Sequence, residues 1–480
     1  MAREQFWDLH QIIRDRWSQQ EYLVTNTGSH YTYAQLAQEV FERGSALRHW
    51  GVGQGRRVAL NIQDPGEFVL WFLSVLSIQA VAVPLNPAAP QDDVRRTLEK
   101  SGSTELFDGQ HRPTTLMSSS ALHYRHDTGA GVILLTSGST GDPKPVGLSF
   151  DALWHTAGQV VEAHQLDTRD RGFSPLPLFH INALVVAVLG SLRAGAAACI
   201  PDGFHGSEFW RLVEDFGATW INAVPSILMV LSSRPEAPLH PERIRFIRSA
   251  SAPLPAATRE RIEQRFHIGV VETYGMTEAS SQIAANPLPG QGCRLGAVGL
   301  PRGIEVRVVG PHGERLPAGE RGAVEIRGRG VLDPRWGPNQ WAREIMHNGW
   351  YPTGDLGHLD ADGYLYLDGR SRDIINRGGE KIFPREVEEW LLTHPQVADC
   401  AVVGRPHPVL GEEPVAFVVA RDEDALVIEG LSEWAALGLA RFKQPAEYFV
   451  VRSLPKGSTG KVARQDLRRQ IGEGGGGWQR

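Results

Sequence analysis

Thr136-Ser-Gly-Ser-Thr-Gly-Asp-Pro-Lys144 gathers hydroxyls, two glycines and an ammonium directly after the apolar run Gly131-Val-Ile-Leu-Leu135. Gly138 and Gly141 let the backbone bend so that its N–H groups converge on one concavity. The Thr136, Ser137, Ser139 and Thr140 hydroxyls and the Lys144 ammonium add donors for anionic oxygens. This is the chemistry of a triphosphate cradle. It is not the G-x-x-x-x-G-K-[ST] arrangement, and a hydroxyl-rich Gly loop alone also suits a plain turn. A second such stretch, Leu454-Pro-Lys-Gly-Ser-Thr-Gly-Lys461, lies near the C-terminus. Of 49 basic residues only six are lysine (Lys100, Lys144, Lys381, Lys443, Lys456 and Lys461), and four of these sit in Gly-rich, loop-like segments. Where arginine is the default, a retained lysine suggests a compact ammonium meeting a phosphate or a developing oxyanion.

The surrounding chain must position these loops. At 480 residues it exceeds what one hydrophobic core usually holds, so two or more domains are expected. A hydrophobic content of 41% with 22% charged residues is that of a soluble globular protein. A net charge of -6 without a Lys/Arg block excludes a nucleic-acid footprint. Cys199, Cys293 and Cys400 are far apart, lack metal-ligand spacing and read as thiols in a reducing cytosol. The first ten residues carry charges where a signal peptide needs an apolar stretch, and no apolar run is long enough to span a bilayer. A cytoplasmic enzyme without membrane insertion is the expectation.

Hydrophobic periodicity predicts helices over 33–50, 65–78, 91–101, 151–164, 183–195 and 209–216, alternating with strands over 57–62, 80–84 and 131–135. That βα rhythm implies an α/β architecture with largely parallel strands. From about residue 296 the texture turns to short β-rich runs. A final α+β unit starts near residue 372, with a helix over 384–392, a strand over 398–404 and a helix over 431–439. The fold class is therefore α/β: a large N-terminal domain with parallel-rich sheets and a β-rich subdomain, then a small α+β C-terminal domain.

Several segments together carry a resemblance. Thr136–Lys144 resembles the T-S-G-[ST]-T-G-x-P-K-G signature of adenylate-forming enzymes, the superfamily of acyl-CoA synthetases, luciferases and peptide-synthetase adenylation domains. Tyr274-Gly-Met-Thr-Glu278 resembles that family's Y-G-x-T-E, and Tyr351-Pro-Thr-Gly-Asp355 its Y-x-T-G-D. Gly369-Arg-Ser-Arg-Asp-Ile-Ile-Asn-Arg-Gly-Gly-Glu380 resembles G-R-x-[KD]-D-x-I-x-x-G-G-E, and Pro455–Lys461 resembles P-K-[TS]-x-[ST]-G-K. Gly51-Val-Gly-Gln-Gly-Arg-Arg-Val-Ala-Leu and Ala82-Val-Pro-Leu-Asn-Pro fit its opening, so the resemblance runs along almost the whole chain, in order.

The resemblance implies activation of a carboxylic acid with ATP and Mg²⁺ to an acyl-AMP, with pyrophosphate leaving, and then thioester formation with CoA. It assigns the β- and γ-phosphates to Thr136, Ser137, Gly138, Ser139, Thr140, Gly141 and Lys144. Thr277 would donate to the α-phosphate, Glu278 would hold Mg²⁺, and Tyr274 would pack on adenine. Asp355 would take the ribose hydroxyls, Arg370 would lie beside ribose and phosphate, and Lys461 would bridge carboxylate and α-phosphate. The division falls between residues 1–370 and a mobile 371–480, with the hinge at Arg372 and the pantetheine channel at Gly378 and Gly379. Lys456 reads as solvated surface. The acceptor is CoA or an acyl carrier protein, and the chain a monomer or homodimer. Adenylation alone, or a catalytically silent nucleotide-binding relative, are the competing readings.

Pro145 stands where the family has Gly, Ser149-Phe150 replaces Thr-His, and Ile78-Gln79-Ala80 replaces Arg-Ala-Gly. Pro177-Leu-Phe-His180 corresponds to the family's P-x-F-H segment beside the acyl pocket. Ile181, Asn182, Ala183 and Leu184 follow without the Asp that binds an amine, so an α-amino acid is not expected. His180, Asn182, Asn222, Ser249, Ser251 and Ala252 are the candidate pocket residues. Their small or apolar surroundings suit a bulky hydrophobic acid, as in the carnitine/crotonobetaine-CoA ligase-like group.

Overall fold

A computed structural model describes residues 19–116, 129–136, 143–421, 428–456 and 461–472. Three sheets carry the architecture. In the first, six strands lie in the order Thr114–Thr115, Glu105–Phe107, Arg57–Leu60, Val81–Pro84, Gly131–Thr136 and Lys144–Ser149. Its inner strands are parallel and its two outermost pairs antiparallel. The helices Tyr33–His49, Pro65–Ser77 and Gln91–Ser101 fall where the 3.6-residue periodicity puts them. The first is opened by a reciprocal capping box between Thr32 and Gln35.

The second sheet has thirteen strands and changes character along its width. Glu21–Val24, Ala197–Cys199, Arg171–Phe173, Trp220–Ala223, Phe246–Ser249 and Val270–Tyr274 run parallel. From Ala284–Ala285 through Ala297–Pro301, Leu365–Arg370, Tyr351–Leu359 and Gly322–Arg327 to Glu305–Val309 every pair is antiparallel. The β-rich texture after residue 296 is thus an antiparallel extension of the parallel sheet.

The expected helix over 183–195 differs in one respect. Ala183–Leu189 is wound as a π-helix and only Gly190–Ala194 as an α-helix. The seven residues are all fully buried, so their side chains alone give no period by which a wider turn could be read. Such widened turns recur at functional sites. Asn182 stands immediately before this one.

Ile375–Arg377, Glu380–Ile382, Val397–His407, Gly411–Ala420 and Glu447–Val450 form a separate five-stranded sheet. Its faces bury their own apolar clusters, one around Ile375, Val402, Ala416 and Leu431, the other around Val403, Phe417, Phe449 and Leu467. No helix among the described residues is long and apolar enough to cross a membrane. Cys199, Cys293 and Cys400 are free, the first and last of them buried.

Candidate active site

Tyr274 ends the parallel strand Val270–Tyr274, and the chain then folds tightly back on itself. A Cβ on Gly275 would lie 1.4 Å from the Ser281 carbonyl oxygen, so only glycine passes here. Ser280 and Ser281 take φ of 51° and 93°, in the left-handed region, to complete the turn. The single 3-10 turn Thr277–Ala279 at its apex carries Thr277 and Glu278.

The neighbouring antiparallel strands supply the rest. In Tyr351–Leu359 burial alternates, so Tyr351, Thr353 and Asp355 face inward. Arg370 is the cross-strand partner of Asp355, and its Nε lies 2.9 Å from one carboxylate oxygen. The Tyr274 hydroxyl donates to the other. Burial, together with the Asp355 charge, holds the Tyr274 phenol well above its ordinary range. Desolvation raises the Glu278 carboxyl, against the opposing pull of Arg370 and Lys461.

Lys461 reaches this cluster from the other end of the chain and is exposed as a residue. Desolvation at its ammonium and the Arg370 charge lower its pKa, while Asp355 and Glu278 oppose the shift. Arg464, three positions on, anchors the segment. Its Nη2 donates to Glu388 Oε2 at 2.9 Å, its Nη1 donates to the Val402 carbonyl at 2.8 Å, and Glu388 Oε1 accepts from the Val402 N–H at 2.7 Å. Lys456, expected as solvated surface, is exposed and pairs there with Asp399 at 2.9 Å.

Thr136 and Lys144 are paired across the antiparallel strands Gly131–Thr136 and Lys144–Ser149, so the hydroxyl-rich loop joins two rigid strands. Ser137, Gly138, Ser139, Thr140 and Gly141 lie outside the described residues. The loop's exit is clamped. The Lys100 ammonium donates to the Pro143 carbonyl at 2.8 Å and the Trp341 indole N–H to that of Pro145 at 2.9 Å. The Lys144 ammonium lies 5.1 Å from the centre of the Trp341 ring. Pro145 stands on the outermost strand of its sheet, where a missing N–H is tolerated. Phe150 is buried and stacks on Trp154 at 5.7 Å, so this departure serves the core.

A cleft of about 840 Å³ opens beside His180, Asn182 and Ser251, with Ile62, Phe68, Leu85, Phe204 and Ile227 among its apolar walls. Half of the expected pocket set is therefore on its surface. Asn222 and Ser249 are buried on their strands, and Ala252 is half-buried beside Ser251 without lining the cleft. Alternation explains Ser249, whose strand partner Arg248 points to the other face of the sheet. Asn222 is one layer behind the cleft. Its Nδ2 donates to Asn182 Oδ1 and to Ser174 Oγ, both at 3.2 Å. Arg248, absent from the expected set, is 1% exposed and donates through Nη1 to Asn182 Oδ1 at 3.1 Å and Asn222 Oδ1 at 3.0 Å. Its only sequence signal is an arginine inside a fully buried strand.

Arg372 lies in an exposed 3-10 turn, Ser371–Asp373, between the two large sheets and the C-terminal sheet. Gly378 and Gly379 form the exposed tip of a hairpin at φ of 60° and 95°.

Comparison with known proteins agrees with this arrangement. The AMP-binding enzyme family pattern matches residues 13–130 and 124–333, and the AMP-binding enzyme C-terminal domain matches residues 386–461. The sulfoacetate–CoA ligase of Cupriavidus necator is 34% identical, covering 94% of this chain and 95% of that one. The oxalate–CoA ligase of Arabidopsis thaliana is 34% identical, over 90% and 92%. ATP-bound MatB from Rhodopseudomonas palustris superimposes with a TM-score of 0.85 at 26% identity, over 97% and 98%.

Proposed function

The chain belongs to the AMP-binding enzyme family and is an AMP-forming acid–CoA ligase, making an acyl-AMP and then a CoA thioester; from that premise we propose how its residues divide the work. Attack of a carboxylate on the α-phosphorus builds charge on phosphoryl oxygens, so the chain's task is positioning and electrostatic stabilisation. Lys461 stands between the carboxylate and the α-phosphate, and Thr277 donates to the same phosphate. Asp355 receives the ribose hydroxyls, and Arg370, already locked to it, lies beside ribose and phosphate. Tyr274 borders the adenine. Lys144 and the loop before it take the outer phosphates.

Glu278 would hold Mg²⁺. A single carboxylate suits an ion that arrives largely ligated by phosphates and water, and supplies charge neutralisation. Among the described residues no group of three or more His, Cys, Asp or Glu side chains could hold a metal without such phosphates.

One observation carries this reading: Lys461 from the C-terminal sheet's side, Glu278 from the turn after the parallel strand and the Asp355–Arg370 pair lie near enough for their charges to act on one another. We divide the chain after Arg370, with Arg372 as the hinge, and take residues 371–480 to turn between the two half-reactions so that Gly378 and Gly379 meet the pantetheine arm. Three free thiols support a reducing, cytoplasmic location. The relatives' acids, sulfoacetate and oxalate, join the bulky hydrophobic acid expected from the wall sequence as candidates for the cleft.

Pyrophosphate and AMP release, measured across a panel of acids with and without CoA, tests the reading. Acid-dependent pyrophosphate release followed by CoA-dependent thioester is expected. No release with any acid would refute it. Acyl-AMP accumulating in the presence of CoA would move the acceptor to a carrier protein.

A further inference from the structure

The guanidinium of Arg248 is the one feature near the cleft that neither phosphate chemistry nor packing explains. Among the described residues it makes no ion pair. Its Nη1 is shared between two amide oxygens, those of Asn182 and Asn222, and its buried Nε has no partner. A charge taken out of water without a counter-ion is costly, and a sheet interior holds one only if something compensates it.

The contacts give that charge a direction. Arg248 can only donate, so both amides must turn their oxygens toward it, and their Nδ2 groups must point away. Asn182 Nδ2 then donates to Ser251 Oγ at 3.3 Å. With one lone pair taken by Asn182, the Ser251 hydroxyl is left to donate its own proton, and both residues line the cleft. Guanidinium, amide and hydroxyl thus form a chain of donors polarised toward the cleft. Ser251 also holds φ of 75°, a left-handed conformation that costs a non-glycine residue energy and that clusters at ligand clamps. Arg248 itself stays behind the lining, and the one carboxylate on it, Asp202, is already engaged by Asn26 at 2.7 Å and His205 at 2.8 Å.

We propose that the Arg248–Asn182–Ser251 chain recognises a second anionic group on the acid, so that this ligase prefers small acids bearing a carboxylate or sulfonate beyond the carboxylate it activates. The proposal rests on the acid–CoA ligase reading and narrows it. The bound anion is the counter-charge that Arg248 lacks, delivered through one amide and one hydroxyl. Arg248 is a positioning residue, and Ser251 the group that touches the acid.

Matched acids of the same shape separate charge from size. Malonate against 3-methylbutanoate and sulfoacetate against 3,3-dimethylbutanoate differ in the anionic group and little in bulk. In acid-dependent pyrophosphate release the wild-type enzyme should favour the charged member of each pair in kcat/KM by tenfold or more, since a site built to hydrogen-bond leaves its polar groups unpaired around an apolar substitute. Ser251→Gly, which removes the hydroxymethyl group and relieves the backbone, should collapse that ratio about tenfold. Arg248→Met, similar in length, should do the same. If Arg248→Met fails to fold, Ser251→Gly alone decides. A wild-type preference for the uncharged members, or a ratio untouched by Ser251→Gly, overturns the proposal and leaves Arg248 a brace between sheet and π-helix. No pyrophosphate release with any acid would instead refute the ligase reading.

Discussion

Replacing Lys461 by alanine removes an ammonium whose surroundings define what it is for. Around it two carboxylates, Glu278 and Asp355, attract it, and two guanidiniums, Arg370 and Arg372, repel it. These influences oppose one another, and desolvation leads, so the ammonium gains little from its protein neighbours. Its counter-charge arrives with the substrates. A unit charge about 4 Å from an anion contributes about 4 kcal/mol at an effective dielectric of about 20. Deleting one such donor to a developing oxyanion typically lowers a rate by roughly a hundredfold to a thousandfold. The loss should fall on acyl-AMP formation, read as acid-dependent pyrophosphate release, with ATP affinity and the thermal midpoint of the apo enzyme little changed. Conversion of preformed acyl-AMP to thioester, followed separately by AMP release with CoA, should stay within a few-fold of wild type if, as proposed above, the C-terminal part has by then turned Lys461 away. Equal slowing of both half-reactions would refute the two-pose account, and a large fall in apo stability would refute the electrostatic one.

Arg464→Leu strands Glu388, which is 8% exposed, without its cation. Breaking a buried pair in this way costs about 3–5 kcal/mol, so chemical denaturation should show the C-terminal sheet unfolding early and adenylation falling with it. Adding Glu388→Leu should recover stability, and failure to recover would count against the pair. His164 is fully buried against the Phe246 ring, and both its ring nitrogens lack partners. Burial, reinforced by Arg248, Arg302 and Arg245, holds its folded pKa well below the ordinary 6.5. The unfolded chain therefore takes up a proton first as pH falls, and stability present above pH 6.5 is lost below it, by up to about 1.4 kcal/mol per pH unit. His164→Leu should flatten this slope between pH 6.5 and 5.5 in urea melts. A slope equal to that of wild type would show that His164 is not the group responsible.

Local pattern carried much of this protein. Motifs such as Tyr274–Glu278 and Tyr351–Asp355 are contiguous, their turns need particular glycines, and helix periodicity is set within a few residues, so loops, helices and family were legible in the sequence. The π-helix was not, because a segment apolar on every side has no face to betray its pitch. Asn222 and Ser249 shared the pocket strands' sequence character with Asn182 and Ser251, yet fell behind the cleft, since which side of a strand faces a cavity depends on the register of neighbours far away in the chain. The same holds for the cation–carboxylate and cation–amide contacts. Arg370 meets Asp355 by cross-strand register, Arg464 meets Glu388 across 76 positions, and Arg248 meets Asn182 across 66. The sequence by itself determined which chemical groups the enzyme owns; only the tertiary structure decided which are dried out and set side by side, because burial and long-range pairing alone convert a common arginine into a directed charge.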